Sequence, residues 1–217
     1  VTTELRARLR TLPSFPRELP EFAPDAAPTT PQELFLAWLD EAVATGVLAP
    51  HAATLATVDE TGPSARVLVL KDVDADGWAI ATPADSRPGQ AMTASGRAAL
   101  TFFWPALGRQ VRVEGEVRRA DAADAAADFR DRPAEARATA LVGRPTPTLA
   151  DDAEYAAARA EALARVEADP SLVPETWALW WVAPGTVEFW QASHDRAHTR
   201  LRYRADADVW VRERLWP

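Results

Sequence analysis

Cationic side chains set in β-rich segments are the residues of this sequence best suited to chemistry. In SARVLVLKD (64–72), Arg66 and Lys71 flank an apolar run. Arginine offers a phosphate a planar fork of N–H donors, and lysine offers a point charge. Charges at strand ends also simply reach water. A strict period of two puts positions 66 and 71 on opposite faces, so one shared anion site requires a bulge or a bend. DSRPG (85–89) is a Ser/Arg turn. Such turns can present backbone N–H groups and Arg87 to a phosphate, or be only loops. In QASHDRAHTRLRY (191–203), Arg196, His198 and Arg200 alternate. If the segment is extended, all three point to one side. Beside Trp190 that cationic edge suits a planar anion. It equally blunts an exposed strand edge.

Other chemistries find little support. The three histidines stand at 51, 194 and 198, and no HExxH, GxSxG or P-loop occurs. Their spacing gives no metal set, so no metal is expected. There is no cysteine. Disulfides, thiolate metal sites and a cysteine nucleophile are thereby excluded, and a reducing cytosol fits. A net charge of −8 argues against a general nucleic-acid binder. Local basic clusters can still hold a small anion. No apolar run approaches the roughly 20 residues of a membrane span. VTTELRARLRTLP has no charged-then-apolar signal pattern. A cytoplasmic protein with no membrane or nucleic-acid partner is the expectation.

The elements that must position these groups are legible in outline. Residues 1–28 form a Pro-rich segment with one short helix near Thr3–Leu12, and 29–217 read as a single domain. Thr30, Pro31 and Glu33 make a helix start, Leu34, Trp38, Leu39, Ala42 and Val43 recur at helical spacing, and Gly46 is a stop. The period then changes to two. Ala52–Val58, Ala65–Asp72, Trp78–Thr82, Ala98–Trp104 and Arg109–Arg118 read as strands joined by short turns. In the last, Val111, Val113 and Val117 oppose Gln110, Arg112, Glu114 and Glu116, a half-buried strand. Five such strands suggest an antiparallel meander closing into a barrel. Helices are expected near 120–130 and 151–168, and further strands at 177–183, 186–191, 200–204 and 208–214. The class is mainly β with helices, α+β. The late tryptophans, Trp177, Trp180, Trp181, Trp190, Trp210 and Trp216, suit core and interface packing.

In this order, ATVDETGPSARVLVLKD, LTFFWPALGRQVRVEGEV, FRDRP, VEFWQ, DRAHTRLRY and RERLWP resemble the pyridoxamine 5'-phosphate oxidase family, from about residue 31 to Pro217. The resemblance implies a homodimeric FMN-binding split β-barrel with FMN at the subunit interface. It implies oxidation of pyridoxine or pyridoxamine 5'-phosphate to pyridoxal 5'-phosphate, with hydride passing to flavin N5 and electrons to O2. Carried over residue by residue, the FMN contacts fall on Arg66, Val67, Leu68, Val69, Lys71, Thr82, Ser86, Arg87, Gln110, Thr146, Trp190 and Arg200. The substrate contacts fall on Lys71, Asp128, Arg132, Arg196 and His198, the last two as the catalytic pair over the ring. Five positions depart from the family pattern. Pro88 replaces a lysine, Pro145-Thr146 replaces Gln-Ser, Asp128 replaces a tyrosine and Ala136 replaces a serine. These departures leave two other readings open: a paralogue oxidising another cyclic metabolite, as phenazine-pathway relatives do, or a flavin- or cofactor-binding protein without turnover.

Overall fold

In the computed structural model, residues 3–143, 148–149, 151–207 and 209–217 are described. The strands are β1 (Ala52–Asp59), β2 (Gly62–Asp74), β3 (Gly77–Ala81), β4 (Arg97–Trp104), β5 (Arg109–Arg119), β6 (Leu179–Gln191), β7 (Thr199–Asp206) and β8 (Val209–Leu215). They form one sheet in the order β3-β2-β1-β4-β5-β6-β7-β8, and an added β3–β6 pairing closes the first six into a barrel. With its helices, the fold is α+β.

A simple meander does not account for this order, because β1 lies between β2 and β4. The chain leaves β3 through a helix, α3 (Arg87–Ser95), and returns as β4. That helix begins inside the stretch that reads as a turn. Ser86 caps it by accepting the Gly89 N–H at 3.2 Å. Pro88 stands in the first turn, where an N–H has no intrahelical partner to lose, and Gly96 ends the helix at φ 65°. The two strands expected at 177–183 and 186–191 are one, since β6 runs on through Pro184 and Gly185. On β5, Gly115 lies where the β6 backbone comes closest. A Cβ there would stand 1.9 Å from the Ala183 carbonyl oxygen, so only glycine fits.

Two compact units divide the chain. The first comprises Val1–His51, Thr101–Val113 and Thr186–Pro217. It carries α1 (Thr3–Thr11) and α2 (Pro31–Ala44), the latter started by the expected Thr30–Glu33 capping box. Leu34, Phe35, Trp38 and Ala42 are buried on α2, whereas Val43 is exposed. Phe35 takes the place expected for Val43 in the apolar stripe, meeting Phe102 edge-on at 4.8 Å between centroids. Trp38 meets Phe189 at 5.2 Å, and Phe189 meets Tyr203 at 5.7 Å. The Tyr203 hydroxyl donates to the Pro28 carbonyl at 2.8 Å and so ties down the Pro-rich segment.

The second unit comprises Ala52–Leu100 and Glu114–Gly185. Besides α3 it holds α4 (Ala122–Arg130), α5 (Ala134–Val142) and α6 (Asp152–Ala168). Asp121 and Asp151 cap α4 and α6. The sequence reading omits α5, which starts after Pro133 and stops at Gly143, φ 65°. Ala79, Ala125, Phe129, Trp177 and Leu179 pack together and hold α4 to the sheet. Among the described residues, no helix is long and apolar enough to cross a membrane.

Candidate functional site

In the second unit, Arg66 lies in β2 opposite Leu55 of β1. Its Nη1 donates to the Leu55 carbonyl at 3.3 Å, Thr57 Oγ1 at 2.9 Å and the Ser64 carbonyl at 3.2 Å, and its Nη2 donates to Ser64 Oγ at 2.7 Å. All four acceptors are neutral. Burial, then the positive charge of Arg87, disfavour its cation, and Asp59 partly offsets them. An anion would relieve this arrangement. Arg87 donates from Nε to Asp59 Oδ2 at 2.8 Å and from Nη2 to Thr61 Oγ1 at 2.7 Å. That pairing, led by the Arg87 hydrogen bond, holds the Asp59 carboxyl well below the usual carboxylate range. Thr82 and Ser86 are buried, with their hydroxyls 3.1 Å apart. Thr82 is fixed by its carbonyl, which accepts from Trp180 Nε1 at 3.0 Å. Ser86 Oγ donates to the Pro83 carbonyl at 2.6 Å, so the two hydroxyls are spent on each other and on the backbone, and the two guanidiniums with one carboxylate make a net-cationic set suited to a phosphate ester such as that of FMN. Pro88 contributes no N–H to it.

Lys71 falls where the β2–β3 register shifts, between Leu70 and Asp72. The irregularity that one shared anion site would require is therefore present at Lys71 itself. Its ammonium, however, meets a carboxylate: Nζ lies 3.0 Å from Asp128 Oδ1. Asp128 Oδ2 accepts from Trp177 Nε1 at 3.0 Å. Arg132 stacks over the Trp177 ring, 4.3 Å to its centroid, and donates to the Ala136 carbonyl at 3.3 Å. Lys71, Asp128 and Arg132 thus form one network. Val67 and Val69 face outward on β2, 67% and 43% exposed, whereas Leu68 is half-buried on the opposite face. Thr146 and Pro145 lie outside the described residues.

The first unit holds the other group. Trp190 packs against His198 at 4.7 Å and Phe15 at 5.8 Å between centroids. His198 Nδ1 accepts the Ser193 N–H at 3.0 Å, so in the neutral ring Nε2 bears the hydrogen. The alternation expected for Arg196, His198 and Arg200 fails. Asp195 Oδ1 accepts the Ala197 N–H at 2.9 Å and the Ser193 hydroxyl, folding the segment into a turn before β7 starts at Thr199. Arg196 sits in that turn at φ 69° with an exposed side chain. Arg200 does lie on β7. Its Nε and Nη2 donate to Glu188 at 2.9 and 3.1 Å, and its Nη1 donates to the Trp216 carbonyl at 2.8 Å. The Glu188 hydrogen bond raises the already high pKa of Arg200. Glu188 also accepts from Arg112 at 2.8 Å. Gln110 is half-buried on β5.

Four partners of these cations were missing from the sequence reading: Asp59, Thr61, Trp177 and Glu188. Glu188 carries a usable signal, a lone charge between Val187 and Phe189 in an apolar run. Asp59 and Thr61 read only as turn residues.

A closed six-stranded barrel extended by two strands, with phosphate-type donors on β2 and at the start of α3, defines a split-barrel protein of the flavin-binding type. The chain is 42% identical over 194 residues to a pyridoxine/pyridoxamine 5'-phosphate oxidase of Pseudomonas paraeruginosa, covering 88% of this chain and 90% of that one. It is also 42% identical over 191 residues to the oxidase of that name from Thermosynechococcus vestitus, covering 86% and 89%. PhzG of Burkholderia lata, solved with tetrahydrophenazine-1-carboxylic acid, superposes with a TM-score of 0.85 at 30% identity, over 94% of this chain and all of that one. Residues 39–191 match the model for pyridoxamine 5'-phosphate oxidase, and residues 177–217 match that for the pyridoxine 5'-phosphate oxidase C-terminal dimerisation region. The chain belongs to the pyridoxamine 5'-phosphate oxidase family.

Proposed function

We propose that this protein is an FMN-dependent oxidase of a small, planar, anionic ring compound, acting as a homodimer with residues 29–217 as its functional domain. The observation that carries the reading is Arg66, a partly desolvated guanidinium with neutral acceptors and a second guanidinium nearby. Its charge calls for an anion, and membership of the family supports the FMN phosphate as that anion. Arg66 and Arg87 would hold that phosphate beside Thr82 and Ser86, and Gln110, Trp190 and Arg200 would hold the ring system. Thr146 is proposed as a further FMN contact on family resemblance alone. FMN, when bound, would supply the redox chemistry, accepting hydride from the substrate and returning electrons to O2. The chain's residues supply position and charge. Lys71 and Arg132 would face the substrate anion. Arg196 and His198 would cover the substrate ring, His198 being steadied by Trp190 and by the Ser193 N–H.

The curated relatives make pyridoxine and pyridoxamine 5'-phosphate the first candidates, giving pyridoxal 5'-phosphate. Asp128, paired to Lys71, favours the second reading, another cyclic metabolite. Titration of the purified protein with FMN, followed by peroxide release with pyridoxamine 5'-phosphate and a panel of other dihydro-aromatic compounds, tests both. Flavin uptake and peroxide release are expected, and Arg196→Ala should slow turnover sharply while flavin stays bound. A protein that remains colourless and quenches no FMN fluorescence refutes the oxidase reading. Unchanged kinetics in Arg196→Ala remove that residue from the site.

A further inference from the structure

We infer that the Lys71 subsite is matched in charge to a singly charged, carboxylate-bearing ring and discriminates against a phosphate dianion, with Asp128 as the residue that sets the preference. The inference rests on the proposed function only in taking this subsite as the substrate's.

The geometry makes Asp128 a fixed anion rather than a swinging one. Both carboxylate oxygens are engaged, Oδ1 by Lys71 Nζ at 3.0 Å and Oδ2 by Trp177 Nε1 at 3.0 Å. The side chain of Asp128 is only 13% exposed and that of Lys71 24%. Turning Asp128 away would strand the indole N–H of Trp177, itself 5% exposed, without its partner. Trp177 in turn is held edge-on by Phe129 at 5.3 Å and is covered by Arg132 at 4.3 Å. The adjacent residues Asp128 and Phe129 are thus pinned to the same indole.

Charge arithmetic follows from that rigidity. Lys71 and Arg132 bring two positive charges and Asp128 one negative, which leaves a net single positive charge. A carboxylate closes the balance. A phosphate dianion leaves a surplus negative charge in a partly desolvated site, within a few ångströms of a carboxylate that cannot retreat. Arg132 is suited to a planar monoanion, because its Nε is buried with no hydrogen-bond partner among the described residues and its cation is disfavoured by burial.

The sequence supplies its own reporter, since Lys71 is the only lysine. Reductive methylation with 13C-formaldehyde labels it and the N-terminal amine, keeps the positive charge, and needs no flavin. Two probes share one ring and differ in its 5-substituent: pyridoxine 5'-phosphate, with the phosphate on a CH2–O arm, and the 5-carboxylate of the same pyridine. Followed by the Lys71 methyl resonance at about pH 8, where the phosphate is a dianion, the carboxylate should bind roughly tenfold or more tightly than the phosphate. Asp128→Asn keeps an oxygen for Trp177 and removes the charge. It should tighten the phosphate roughly tenfold and change the carboxylate less than about threefold. Should that variant fail to fold, the wild-type protein still decides. Its affinity for the phosphate should rise as the probe becomes a monoanion near pH 5.5 to 6, about its second pKa. A wild-type preference for the phosphate at about pH 8 would overturn the inference, as would an unchanged ratio in Asp128→Asn or a resonance that neither probe moves. Failure of FMN uptake, measured separately, would instead count against the oxidase reading and leave the ratio readable.

Discussion

Glu188→Gln tests whether a buried carboxylate on β6 is what aims Arg200. Glu188 is 7% exposed and accepts from Arg200 Nε at 2.9 Å, Arg200 Nη2 at 3.1 Å and Arg112 Nη2 at 2.8 Å. A hydrogen bond to a charged group contributes about 1.5–3 kcal/mol. The Arg112 side chain is 41% exposed, so water screens its share to about 1 kcal/mol or less. Arg200, at 29%, keeps more of its share. The amide retains one acceptor oxygen but turns an NH2 group toward a guanidinium and leaves positive charge unbalanced. The expected net loss is about 2–3 kcal/mol. Urea unfolding should show it as a lower midpoint at unchanged slope. On the proposed role of Arg200 in holding FMN, loss of its aim should weaken FMN binding about tenfold, read by flavin fluorescence. Replacing both partners, as Glu188→Leu with Arg200→Met, should recover part of the stability but none of the FMN affinity. A Glu188→Gln protein within about 0.5 kcal/mol of wild type, binding FMN equally well, would refute the reasoning.

Two further outcomes concern the frame. Burial pushes the Tyr203 phenol up to about 12, so the unfolded chain ionises this group first and stability falls as pH rises from about 10 to 12. Tyr203→Phe should therefore cost about 1 kcal/mol at neutral pH, from the lost bond to the Pro28 carbonyl. The gap to wild type should narrow in urea melts at about pH 11, and a constant gap would contradict the assignment. Gly115→Ala would put a Cβ 1.9 Å from the Ala183 oxygen and 2.7 Å from the Pro184 Cα, both backbone atoms that cannot rotate aside. It should cost about 3 kcal/mol, and a wild-type thermal midpoint would show that β5 and β6 do not approach so closely.

Strand positions were readable because burial on one face writes itself into the sequence. Val111 and Val113 are inside and Glu114 and Glu116 outside, as the alternation requires. The order of the strands was not readable. It depends on α3, whose Pro88 and Gly89 look like chain breakers until Ser86 is seen to cap them. Local periodicity also failed at Arg196, because Asp195 offers the backbone a turn in place of an extended run.

The cations themselves were legible, whereas their neutralisation was not, and neutralisation decides what they can bind. Asp59 reaches Arg87 from 28 residues away, and Asp128 reaches Lys71 across the β2–α4 separation. No local pattern encodes either meeting. Yet each pairing changes the chemistry of its cation. Lys71 with Asp128 presents little net charge to a ligand, whereas Arg66 has neutral oxygens as its hydrogen-bond acceptors and is only partly offset by the charge of Asp59. Two cations five positions apart on one strand therefore do different work. The difference comes from α4, which brings Asp128 into an ion pair with Lys71, whereas the carboxylate whose charge reaches Arg66, Asp59, is engaged by Arg87.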